Sequence, residues 1–129
     1  MTGKITVGTI QDTDGNTVAS TYVTNGVAKA YQHHDEDLTT MHKSLNLSSS
    51  TDNGTGDFTA NFTNSWSDVR YMYSFGCDDN DFNDATAYGI KGLTWATGSH
   101  RTRTFYANNS GIGFFDQDMA CIIWYGDLA

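Results

Sequence analysis

An antiparallel β-sandwich is the fold that this sequence predicts, and three observations predict it. The composition is rich in Thr, Gly, Asn, Asp and aromatic residues, with no Pro and a single Glu, Glu36. Strand and turn formers therefore dominate, and the usual helix formers are scarce. Apolar residues alternate with polar ones over segment after segment, which is the period of a half-buried strand. Clusters of Gly, Asn and Asp separate these segments at regular spacing, giving seven or eight strands and an all-β, jelly-roll-like sandwich. A chain of 129 residues fits one domain.

The elements follow in order. Residues 1–25 read as an N-terminal arm or hairpin for docking or assembly. Ile5 and Val7 alternate with polar residues, Asp12-Thr13-Asp14-Gly15-Asn16 is a turn signal, and the apolar residues are too few for a core. The sandwich module spans 26–129. Residues 27–33 read as a strand and 34–43 as a polar loop. Leu45 and Leu47, then Phe58, Ala60 and Phe62, alternate on either side of Asp52-Asn53-Gly54-Thr55-Gly56-Asp57, the clearest hairpin in the chain. Val69, Tyr71, Tyr73, Phe75 and Cys77 alternate along one strand, and Tyr88, Ile90 and residues 93–95 form another. Residues 101–106 set Arg103 and Phe105 on one side and Thr102, Thr104 and Tyr106 on the other.

The last segment, Met119-Ala120-Cys121-Ile122-Ile123-Trp124-Tyr125, is apolar on both faces. Such a strand is expected to be covered on both sides. The second cover is a loop, the arm or another subunit, and the subunit reading fits a symmetric homo-oligomer, a trimer, with Ile122, Trp124, Ile5 and Val7 at its interface. Cys121 reads as a small core residue, and with Cys77 it makes no disulfide framework.

Charge and motifs bound the chemistry. Fifteen acidic against seven basic residues give a net charge of −8, which repels phosphates, so no nucleic-acid partner is expected. No apolar run is long enough to span a bilayer as a helix, and the first residues lack the apolar region of a signal peptide. His33-His34-Asp35-Glu36-Asp37 with His42 is rich in ligand atoms, but adjacent strand residues point to opposite faces, and a solvated loop is the preferred reading. Asp79, Asp81 and Asn83 start like a calcium loop. The Gly and Glu that should follow are Asp84 and Ile90, so this is only a weak calcium candidate. No nucleophile motif, phosphate loop or paired carboxylates stand out, and no catalytic residue, metal or cofactor is expected. Aromatic residues near turns suit recognition surfaces, including stacking on sugar rings. Trp66, Trp95, Phe114 and Phe115 are the candidate binding surface, and Trp124 and Phe62 are expected to be buried.

Three stretches also resemble a known module. Val27-Ala28-Lys29-Ala30-Tyr31, Ser44-Leu45-Asn46-Leu47-Ser48-Ser49 and Thr51-Asp52-Asn53-Gly54-Thr55-Gly56-Asp57-Phe58-Thr59-Ala60-Asn61-Phe62 are similar to the AKAW strand and the TDNGTGDYTVNF hairpin of a short β-rich module. This module occurs in tail-fibre-like and other virion structural proteins of tailed phages of marine and cyanobacterial hosts. Residues 116–127 resemble its closing strand, which ends in FGD, and Tyr31 stands where the module has Trp. The resemblance implies a virion structural protein assembled in the host cytoplasm and surface-exposed on a fibre or tail appendage. It would attach to a host glycan or protein and contact other virion proteins through the arm. A capsid decoration or cement protein is the alternative, and a virion-associated carbohydrate-active enzyme a distant third.

Overall fold

The computed structural model describes residues 7–20, 26–35, 39–78, 87–117 and 119–129. The expected roles of Ile5 and of Asp79, Asp81 and Asn83 fall outside them. Among the described residues the chain forms β1 (Thr9–Gln11), β2 (Thr17–Ala19), β3 (Ala30–His34), β4 (Met41–Leu45), β5 (Leu47–Gly54), β6 (Asp57–Phe62), β7 (Met72–Asp78), β8 (Ala87–Trp95), β9 (Ser99–Asn108), β10 (Gly111–Phe114) and β11 (Met119–Tyr125). The protein is all-β, as the composition and alternation predict, and every pairing is antiparallel.

Two sheets face each other across one core. The first has the order β4-β3-β11-β7. In the second, β9 pairs with β8 along one edge, and along the other edge with β6 and then β10, while β5 lies outside β6. β1 and β2 form a separate two-stranded hairpin. Its turn is organised by the Asp12 carboxylate, which accepts from the backbone N–H of Asp14 and Asn16 at 2.9 Å each.

Along β6, β9 and β11 the alternation read from the sequence is the alternation of burial, whereas the strand expected from Val69 to Cys77 starts only at Met72, and Val69 and Phe75 are exposed. Phe58, Ala60 and Phe62 of β6 point inward, as do His100, Thr102 and Thr104 of β9 and Ala120, Ile122 and Trp124 of β11. Burying a side chain such as Phe58 or Ile122 contributes about 1.5–3 kcal/mol. Phe62 is the hub where the sheets meet, edge-on to Trp66, Tyr71 and Trp124 at 5.4, 5.8 and 5.5 Å between centroids. Trp124 and Phe62 are thus buried as expected.

Three local readings are corrected. The polar stretch 34–43 is not all loop, because β3 runs on to His34 and Met41–Leu45 forms β4 at the sheet edge. Its polar side chains hid it, since an edge strand facing solvent needs little apolar content. Second, Leu45 and Leu47 do not share one strand. Asn46, at φ 57°, breaks the chain between them, so β4 joins the first sheet and β5 the second. The Asn46 side chain holds this corner, accepting from Asn64 N at 2.7 Å and donating to Asn64 O at 3.1 Å. Third, Ile122 and Trp124, expected at an oligomer interface, are 0% exposed inside the chain's own core. Cys121 instead sits half-buried on the outer face of β11, and it forms no disulfide with Cys77.

The turn between β5 and β6 is fixed by contacts within the fold. Gly56 takes φ 65°, and a Cβ there would lie 2.5 Å from the Phe115 carbonyl and from Thr104 Oγ1, so only glycine fits. Its N–H donates to the Asp116 carboxylate and its carbonyl accepts from Thr104 N at 2.8 Å. The next residue, Asp57, is buried and accepts both arms of the Arg101 fork, from Nε and Nη2 at 2.8 Å each. This bidentate pair ties β6 to β9 and holds the Arg101 guanidinium firmly protonated.

Candidate binding surface

The four aromatic residues expected to form one contact surface go to different places. Adjacent residues on a strand face opposite ways, so Phe114 is 48% exposed while Phe115 is 6% exposed and packs on Tyr88 and Tyr106. Trp66 is 1% exposed. Its backbone pairs with Leu128 and donates to Thr97 O at 2.9 Å, and its ring stacks on Tyr71, so the residue closes one end of the core. Trp95 is half-exposed but leans over His100 at 4.3 Å, flanked by Tyr71 and Tyr73. Val7, expected at an interface, is exposed.

Trp95, Tyr71, Tyr73 and Trp124 enclose His100 as an aromatic box. The Trp124 indole N–H donates to His100 Nδ1 at 2.9 Å, which leaves the ring proton on Nε2. Burial pushes the His100 pKa down to about 4. Burial likewise pushes the Tyr71 phenol up to about 12, and its hydroxyl lies 3.1 Å from the carbonyls of Ala96 and Ser99. His100 is therefore a neutral core residue at physiological pH.

A concave feature lies on the outer face of the second sheet. Lys91 of β8, Phe105 of β9, and Ile112 and Phe114 of β10 line a cavity of about 240 Å³. Strand register assembles it: Phe105 faces Gly89 on one side and Phe114 on the other, and Lys91 faces Arg103. Gly89 is needed because a Cβ there would lie 2.5 Å from Phe105 Cζ, so the Phe105 ring lies flat across β8. Arg103 stacks on Phe114 with its guanidinium carbon 3.8 Å from the ring centroid. Of the expected surface residues, only Phe114 belongs to this site. Phe105, Ile112, Lys91 and Arg103 were missed. The one available signal was the side on which Arg103 and Phe105 were placed together.

The histidine-rich segment divides as the strand geometry predicts, with His34 buried and His33 on the outer face. His42 Nε2 lies 2.6 Å from the Asp35 carboxylate. Among the described residues, no three His, Cys, Asp or Glu side chains are grouped to hold a metal ion, and no helix is long and apolar enough to cross a membrane. The chain matches no family model, curated protein or solved structure.

Proposed function

We propose that this chain is a non-enzymatic structural module on the surface of a tailed-phage particle, in a fibre or tail appendage, where it mediates attachment to the host surface. The observation that carries the attachment reading is the cavity bounded by Phe105, Phe114, Ile112 and Lys91. Its walls are two aromatic rings, an isoleucine and one cation, Lys91, held on sheet strands, a surface suited to gripping a ligand. The resemblance of residues 51–62 to the phage module supports the virion setting.

Assembly would use the other sheet. On the outer face of β4-β3-β11-β7, Met72 pairs with Tyr125, and Ile123 with Tyr31, which pairs with Leu45. Met72, Tyr31 and Leu45 are exposed, which makes an apolar row along the face of β11 opposite Ile122 and Trp124. The homo-oligomer contact is assigned to this row, and the β1–β2 hairpin to docking on other virion proteins. The same row favours the second reading, a capsid decoration protein clamped between capsid subunits.

Labelled antibody on intact particles separates the two: signal on the tail or fibre is expected, and signal confined to the head supports the decoration reading. Purified protein should compete with particles for adsorption to host cells, and Phe105→Ala should not. Light scattering after gel filtration should give an oligomer that Ile123→Lys dissociates. A wild-type monomer at high concentration would refute the assembly reading.

A further inference from the structure

We infer that the cavity on the outer face of the second sheet takes a carboxylate-bearing pyranose, one residue of an acidic glycan. The inference deepens the attachment reading above and rests on it.

Size comes first. At about 240 Å³ the cavity is smaller than the roughly 300–1,000 Å³ of a site that encloses a drug-sized ligand. It suits one ring of a longer chain. Its floor is the flat Phe105 ring, and Phe114 and Ile112, both exposed, form an apolar wall. Such surface stacks against the C–H face of a sugar ring, while the ring's polar edge stays in water.

Charge selects among sugars. Seven Lys and Arg are set against fifteen Asp and Glu in the whole chain. Three of those seven, Lys91, Arg101 and Arg103, share this face, as the register of β8 on β9 requires. Asp57 takes up Arg101. Among the described residues neither Lys91 nor Arg103 has a carboxylate partner, and Arg103 Nε is shielded from water without an acceptor. Lys91 is therefore a cation in the cavity lining, and Arg103 stands behind Phe114, with Nη2 donating to Thr55 O at 3.5 Å and Nε left without an acceptor. A neutral sugar would leave the Lys91 charge unanswered, whereas a carboxylate at the rim of a pyranose would answer it with a charge-assisted hydrogen bond, with the Arg103 charge close behind.

The chain's net charge of −8 disfavours nucleic acid, whose duplex carries a charge about every 1.7 Å. An acidic glycan spaces its charges one per sugar ring, so a single carboxylate can enter the basic patch while its neighbours stay distant.

The test compares a tetramer of galacturonic acid with its fully methyl-esterified form, which keeps the shape and loses the charge. Both are titrated into ¹⁵N-labelled protein and followed by NMR. The free acid is expected to shift amides at 89–91, 103–105 and 112–114. It should bind about tenfold more tightly than the ester, the size of one charge-assisted hydrogen bond, and weaken with added salt. Lys91→Gln, an exposed change checked for folding by its thermal melt, should erase most of that difference, and Phe105→Ala should abolish binding of both forms. Equal affinity for acid and ester overturns the carboxylate inference but leaves the ring platform standing. Binding of neither form, or shifts elsewhere on the protein, overturns the platform and with it this site's part in attachment. Tighter binding of adenosine monophosphate at the same amides also overturns the choice of a sugar acid.

Discussion

Acid should destabilise this protein through one buried imidazole. His100 is enclosed by Trp95, Tyr71, Tyr73 and Trp124, and burial holds its pKa at about 4, against 6.5 for a solvated histidine. The unfolded chain takes up the proton near pH 6.5, but the folded chain resists until about pH 4. The unfolded state therefore binds more protons across that window. Stability is fully present above pH 6.5 and falls as the pH drops towards 4, below which this group adds no further loss. The gap between 6.5 and about 4 puts the loss at about 3 kcal/mol. No carboxylate is among the rings that enclose His100, so desolvation outweighs the modest attraction of the ring faces for the incoming charge. Protonation at Nδ1 would also set a donor against the Trp124 N–H, which now donates to that atom at 2.9 Å. Denaturant melts of wild type and His100→Gln from pH 7.5 to 4 should diverge in slope below pH 6.5, with the wild type losing about 3 kcal/mol more by pH 4. NMR of the imidazole C–H signals, with His100 assigned by its loss in the variant, reads the same pKa directly. An imidazole that titrates near 6.5, or parallel stability curves, would refute the reasoning.

Other consequences concern the core and the central hairpin. Trp124→Ala removes a fully buried indole and the donor to His100, and should cost about 3–5 kcal/mol in chemical denaturation; a loss under 1 kcal/mol would mean that the ring is not where the sheets join. Gly56→Ala forces a left-handed backbone on an L-residue and drives its Cβ into the Phe115 carbonyl, so roughly 2 kcal/mol or more should be lost. A neutral result there would show that the turn does not dock on β9. Asp57 and Arg101 should couple by about 1–2 kcal/mol in a double-mutant cycle, because the carboxylate is buried and bidentate while the guanidinium is partly in water. Coupling indistinguishable from zero would reduce the pair to a surface contact.

Much of the fold was legible because its determinants are local. The β5–β6 hairpin was readable from alternation on both sides of a two-glycine turn, and β9 from Thr102 and Thr104 set against Arg103 and Phe105. β4 was not, because Met41–Leu45 is a mostly polar edge strand that its pairing with β3 makes into sheet. The corner at Asn46 was hidden for a related reason: alternation continues through a residue that turns the chain from one sheet to the other.

The binding surface was far less legible. Period-2 alternation separates two faces but does not say which looks inward. Both faces of β11 are apolar, and its core face proved to be Ala120, Ile122 and Trp124. By itself the sequence determined the all-β class, the main hairpin and the alternation of faces, since these follow from side-chain type and spacing along a few residues. Only the tertiary structure decided that Trp66 and Phe115 lie inside, that His100 sits in a box of rings, and that Lys91, Phe105, Ile112 and Phe114 share one hollow. Those facts depend on strand register and on how two sheets stack, and both are relations between distant segments that no short stretch of chain encodes alone.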